Sequence, residues 1–185
     1  MKVAPLKKCK NDFIEGRKTR RLLNPSEFYF GGGNYQIHTL LGSCVAITLW
    51  HPVRQIGGMC HYLLPRLQEQ GQLPSLPVKP HARYADVAMA LFEKAISRYR
   101  TNICEYQVKI FGGSNMVIKS EQAPGESVGD QNIQAAERLL EIRGMPIFVR
   151  HVGQTGHRRI IFDLQTGDVW VKHVPFDLTD TCRHG

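Results

Sequence analysis

Apolar residues recur along this chain in two rhythms. From Gln36 to Trp50, Thr, Val, Ile and Leu dominate, and the run is broken only at Gly42-Ser43, which predicts two strand pieces around a bend. His51-Pro52 ends it, and a further apolar run from Ile56 to Leu64 is closed by Pro65. Glu105 to Phe111 alternates like a strand; Ile147–Val152, Arg159–Leu164 and Val169–Val174 are also strand-like, the last two joined by a hairpin turn at Gln165-Thr166-Gly167-Asp168. The helical rhythm occurs twice. Between Arg83 and Tyr99, Val87, Leu91, Phe92, Ala95 and Ile96 share one face opposite Glu93, Lys94 and Arg98. A second helix is expected from Asp130, as its cap, to Arg143, stopped by Gly144. The folded part should open near Phe28-Tyr29-Phe30, followed by a glycine-rich turn at Gly31–Asn34, and the Pro- and Gln-rich stretch 66–81 reads as one long loop. Strands outnumber helices and cluster instead of alternating with them, so the fold class is α+β.

Charge divides the chain. Its net charge is +8, yet residues 1–21 hold eight Lys or Arg against Asp12 and Glu15, leaving a nearly neutral body. The expected organisation is therefore a basic flexible arm over 1–24, a single domain over 25–178 and a frayed C-terminus over 179–185. A basic arm suits acidic protein surfaces or an anionic membrane, and equally a merely solvated terminus. The body has no basic stripe interleaved with aromatics, so no nucleic-acid partner is expected.

Five cysteines (Cys9, Cys44, Cys60, Cys104 and Cys182) are scattered without a C-x-x-C pair. That pattern argues against a disulfide framework and a structural metal site, and fits a reducing, cytoplasmic setting. No apolar run approaches the roughly 20 residues of a membrane helix, and no secretory leader is expected.

Chemistry concentrates in two segments. In Thr39–Ile47, Cys44 follows a Gly42-Ser43 bend and leads into an apolar strand, so its thiol and amide N–H can be presented together. In Gly57–Pro65, His61 lies seventeen residues beyond Cys44 and reaches it if the two runs are neighbouring strands. The paired Gly57 and Gly58 permit close backbone approach, as needed where a substrate enters. A Cys–His pair suffices for acyl chemistry when a third group holds the imidazole, and Thr39 is placed to do so. Taken singly, each residue also has a bland reading: a packed thiol, a half-buried histidine, a strand threonine.

Read together, Thr39–Val45 (T-L-L-G-S-C-V), Gly57–Pro65 (G-G-M-C-H-Y-L-L-P), Tyr84-Ala85-Asp86, Lys109–Met116 (K-I-F-G-G-S-N-M), Val128–Ile133 (V-G-D-Q-N-I) and Val152–Asp163 resemble the CheD family of chemoreceptor glutamine deamidases, in order, over about residues 27 to 175. The resemblance implies a Cys-His-Thr triad at Cys44, His61 and Thr39. It also implies packed mixed β-sheets flanked by helices, similar to the catalytic domain of the cytotoxic necrotizing factor toxins. The implied reaction is conversion of receptor glutamines to glutamates with release of ammonia, with Ser43 and Ser114 as pocket donors and no cofactor or metal. Glutamyl methyl esters would suit the same thioester route. Expected partners are the cytoplasmic part of methyl-accepting chemotaxis receptors and a CheC-type phosphatase. A non-catalytic adaptor binding those same partners, and a redox-sensing thiol with Cys60 as its resolving cysteine, are the alternatives.

Overall fold

The computed structural model describes residues 12–15, 18–65, 81–116 and 127–176, with side chains from Lys18 onward. Among these residues ten strands form two five-stranded sheets. The first has the order β1-β2-β4-β9-β10, from Asp12–Glu15, Lys18–Leu22, Tyr35–Leu41, His157–Asp163 and Val169–Val174. The second has the order β3-β6-β5-β7-β8, from Phe28–Gly32, Ile56–Tyr62, Val45–His51, Gln107–Gly112 and Ile147–Val152. Each sheet is mixed: β2 runs parallel to β4 and β7 parallel to β8, and the other neighbours are antiparallel. Two helices, α1 (Ala85–Arg98) and α2 (Val128–Glu141), complete an α+β architecture.

Strand alternation sorts the core into two layers. Ile37 and Leu41 of β4, Ala46 of β5, Met59 of β6, Phe111 of β7 and Ile160 and Phe162 of β9 meet between the sheets. Val45, Ile47, Cys60, Tyr62, Val108 and Ile110 point the other way, onto Met89 and Phe92 of α1 and Ile133 and Ala136 of α2. The helices thus cover one sheet only, and the far side of the β4 sheet carries none of them. Among the described residues no helix is long and apolar enough to cross a membrane.

Several expectations shift. Residues assigned to the arm include β1 and β2, and β2 pairs with β4 (Arg21 beside Ile37) while Leu23 is buried between the sheets. A run rich in Lys and Arg can still form a strand because alternate side chains leave the core: Arg20 and Leu22 face outward, while the Arg21 guanidinium stacks 4.7 Å above the buried Tyr29 ring. The domain therefore begins well before residue 25. The cap of α2 lies three residues earlier than expected: Ser127 is its cap, and Asp130 is the third helical residue of a capping box, accepting from the Ser127 N–H. Helix α1 buries Ala85, Ala88, Met89, Phe92 and Ile96, so its inward face is turned toward the small residues the periodicity overlooked, and Val87, Leu91 and Ala95 lie at its margin. Gly57 and Gly58 do permit close backbone approach, but the backbone that approaches is that of neighbouring strands: a Cβ on them would meet the Leu49 and Tyr29 carbonyl oxygens at 2.3 Å. The expected loop, apart from His81, and the C-terminal segment 179–185 lie outside the described residues.

Candidate functional site

The bend Gly42-Ser43-Cys44 carries the chain out of β4 in one sheet and into β5 in the other. It is tied down from below. The Gly113 N–H donates to the Cys44 carbonyl (2.8 Å) and the Ser114 N–H to the Gly42 carbonyl (2.9 Å). Gly112 permits this approach: its φ is +105°, and a Cβ there would meet the Cys44 carbonyl oxygen at 2.2 Å.

Strand register then sets the neighbours of Cys44. Ala46 on β5 pairs with His61 on β6, and both point between the sheets. Cys44, two residues before Ala46, packs with that same inter-sheet layer and is therefore a diagonal neighbour of His61. Such diagonals lie roughly 7–8 Å apart at their Cα atoms, within reach of longer side chains. Thr39 approaches from the opposite sheet, buried on the inward face of β4.

The hydrogen bonds fix a tautomer. The Thr39 hydroxyl donates to the Leu23 carbonyl (2.6 Å) and lies 2.8 Å from His61 Nδ1. A hydroxyl has one hydrogen, and here it is committed to Leu23, so Nδ1–H donates to Thr39 Oγ1 and Nε2 keeps its lone pair. That Nε2 is buried and has no hydrogen-bond partner, Cys44 Sγ included. The His61 backbone is equally constrained, its carbonyl accepting from the Ser26 N–H (2.8 Å) and its N–H donating to the Glu27 carbonyl (3.0 Å).

Burial dominates the electrostatics. It pushes the His61 pKa down to about 4, against smaller opposing contributions from the Leu23 backbone and Glu27. It pushes the half-buried Cys44 thiol up, outweighing a bond to the residue's own backbone. Both shifts favour the uncharged forms, a neutral thiol beside a neutral imidazole.

Other candidates separate. Ser43 stays at the half-exposed bend, whereas Ser114 is wholly buried beneath it, accepting a hydrogen bond from Arg158 Nη1. His38 faces outward on β4, and His151 Nδ1 accepts from Arg158 Nε (2.9 Å), so neither competes for Cys44. Cys60 points to the helix layer with its pKa raised to about 12 by burial, on the opposite face of β6 from His61. That position removes it as a resolving cysteine.

Asn132 of α2 escaped the reading of single residues, although it ends the V-G-D-Q-N motif. It is fully buried, and its Nδ2 donates to the Ser43 carbonyl (3.0 Å) and the Leu63 carbonyl (2.8 Å). Tyr62 Oη donates in turn to the Asn132 carbonyl (2.6 Å). One side chain therefore clamps the segment before Cys44 to the segment after His61. Arg158, also fully buried, ties the loop 112–116 to Gly153 through Ser114 and the Gly153 carbonyl (2.6 Å).

The family model described as CheD chemotactic sensory transduction matches residues 63–173. The chain belongs to the CheD family. This CheD-family chain is 43% identical over 158 residues to a probable chemoreceptor glutamine deamidase CheD of Pseudomonas savastanoi pv. phaseolicola, covering 84% of this chain and 85% of that one. A Dechloromonas aromatica protein, probable chemoreceptor glutamine deamidase CheD 3, is 42% identical over 149 residues, covering 80% and 84%. A more distant Leptospira interrogans relative, named probable chemoreceptor glutamine deamidase CheD 1, is 36% identical over 156 residues, covering 81% and 90%. The family match opens at Leu63, just past the Cys44–His61 hairpin, and takes in the Asn132 clamp and the Arg158 tie.

Proposed function

We propose that this chain deamidates glutamine side chains on the cytoplasmic part of chemotaxis receptors, with Cys44 as nucleophile, His61 as base and Thr39 as the group that holds the imidazole. One observation carries the reading: a buried histidine whose Nδ1–H is engaged by Thr39 keeps a bare Nε2 diagonal to a half-exposed thiol at the bend that opens the neighbouring strand. The names of the relatives support the substrate class. Two sheets with helices on one side support a fold of the kind found in the catalytic domain of the cytotoxic necrotizing factors.

In this mechanism the Cys44 thiol turns toward Nε2 and gives it a proton as Sγ attacks the γ-carboxamide carbon. The C=O π pair moves onto oxygen, and the oxyanion is held by the Cys44 N–H with Ser43 beside it. The imidazolium returns the proton to the departing nitrogen, which leaves as ammonia, and a thioester remains. Water then gives a proton to Nε2 while its oxygen attacks the thioester carbon. Collapse releases glutamate and the Cys44 thiol. Because thiol and imidazole begin neutral, proton transfer accompanies attack instead of preceding it.

Intact-mass analysis of a receptor cytoplasmic fragment tests the proposal. Wild type should add about 1 Da per converted glutamine, the replacement of NH by O, and Cys44→Ala should add none. A fragment that is bound but unmodified by wild type would leave the adaptor role in its place, including any partnership with a CheC-type phosphatase.

A further inference from the structure

Among the described residues no element covers the outer face of the β4 sheet, and that face is not an ordinary polar surface. Strand register sets its outward side chains in rows. Leu22, His38, Ile161 and Trp170 form one row across β2, β4, β9 and β10, and Leu40, Arg159 and Lys172 form the next. Leu22 is 45% exposed, Leu40 55% and Trp170 50%, so apolar area lies open in both rows, with His38 between Leu22 and Ile161. Among the residues whose side chains are described, the exposed charges of this face are positive. Arg159 and Lys172 are exposed within the second row, and Arg20 and Arg159 both lie close enough to His38 to add to the burial that disfavours its protonation. The carboxylate of this face, Asp163, is buried and already engaged by Lys18 and Gln36.

We propose that this face docks an acidic, amphipathic helix of the protein whose glutamine is modified, an inference that rests on the deamidase reading. Four strands at about 4.8 Å spacing make the apolar row roughly 14 Å long, the length of about ten helical residues. The basic row lies two residues further along the strands, roughly 7 Å away, where the flank of a helix about 10 Å across would come to rest. An apolar stripe over Ile161 and Trp170 thereby sets Asp or Glu on that flank against Arg159 and Lys172. Leu40 belongs to the strand that ends in the Gly42-Ser43-Cys44 bend, so a docked partner lies on the element that carries the nucleophile. Complementary charge of this kind speeds encounter and fixes register, and it weakens with salt.

The test compares two substrates with the full chain: the cytoplasmic fragment of a cognate receptor, and a short peptide bearing one of its modified glutamines. For the double variant Arg159→Glu/Lys172→Glu we expect KM on the fragment to rise at least tenfold with kcat within twofold, and activity on the short peptide to stay within twofold. The rise should shrink as salt approaches 1 M. Trp170→Ser should raise the fragment KM as well, with little salt dependence. An unchanged fragment KM overturns the proposal, as does an equal loss on the short peptide, which would place the effect in the reaction itself. So does charge-reversal-sensitive binding to phosphatidylserine vesicles in place of the fragment, or a wild-type dimer in sedimentation that Trp170→Ser abolishes. If wild type deamidates neither substrate, the deamidase reading fails. Anisotropy titration of the labelled fragment then decides docking by itself, a Kd indifferent to the double substitution counting against it.

Discussion

Replacing Thr39 by Val keeps the shape of a buried strand residue and removes a single hydroxyl. In the protein that hydroxyl serves two groups at once, accepting from His61 Nδ1 and donating to the Leu23 carbonyl, and both lie where water does not reach. Each buried polar group left unpaired costs about 1–3 kcal/mol, so Thr39→Val should lose about 2–6 kcal/mol of stability if neither finds a substitute. The catalytic consequence is separate. Without an acceptor at Nδ1 the imidazole can place its hydrogen on Nε2 instead, in a tautomer that cannot take the thiol proton. A bias of about 1.4–2.8 kcal/mol toward that form lowers turnover by roughly 10–100-fold. Ammonia release under saturating receptor fragment measures the second effect, and urea unfolding at the same pH measures the first. Thr39→Ser retains the hydroxyl and should recover most of both. A Thr39→Val protein that is destabilised yet turns over within twofold of wild type would refute the tautomer argument and leave Thr39 a packing residue.

Asn132→Ala frees the Ser43 and Leu63 carbonyls together; kcat should fall about tenfold or more, and thermal unfolding should show a loss of about 2 kcal/mol or more. His61 brings a pH dependence, because its folded pKa is about 4 against an ordinary 6.5 and the unfolded chain therefore takes the proton first. That stability is fully present above about pH 6.5, declines as pH falls toward about 4 and is flat below; urea midpoints at pH 7 and pH 5 should show wild type losing about 2 kcal/mol more than His61→Gln. Alkylation of Cys44 by iodoacetamide, followed by peptide mass mapping, should be slow at pH 7 and accelerate above pH 9, since burial keeps the thiol protonated; a fast, pH-independent reaction would point to a resting thiolate. Deleting residues 1–22 removes β1 and β2 and uncovers the edge of β4, so the product should unfold at a markedly lower temperature than the full chain.

Where side-chain rhythm is strong, the sequence was legible. The strands of the Gln36–Trp50 and Ile56–Leu64 runs, the C-terminal hairpin and both helices lie where periodicity sets them, within a few residues at their ends. The neighbouring placement of Cys44 and His61 was legible because a bend and a facing strand are both local patterns. What stayed hidden depends on pairing across the fold. A Lys- and Arg-rich stretch becomes strand only through its parallel partner β4. The cap of α2 lies at Ser127 because Asp130 reaches back to it, a reciprocal bond that a lone acidic residue does not reveal. Asn132 looked like an unremarkable helical position until α2 settled against two chain segments some seventy and ninety positions away in sequence. The direction of the Cys44 pKa follows from burial, which no motif encodes.

The three residues proposed to react are divided between two walls of the sandwich. Thr39 belongs to one sheet, His61 to the other, and Cys44 rides on the crossing between them. Such a centre is assembled by the closing of the two sheets and taken apart by any slip between them. Its activity should then report the spacing of the walls, fading under pressure, mild denaturant or a wedging ligand while each sheet still holds its own ladder of hydrogen bonds. An inhibitor for this molecule need not enter the thiol's pocket; a molecule that wedges the walls apart at the far end would silence it from a distance.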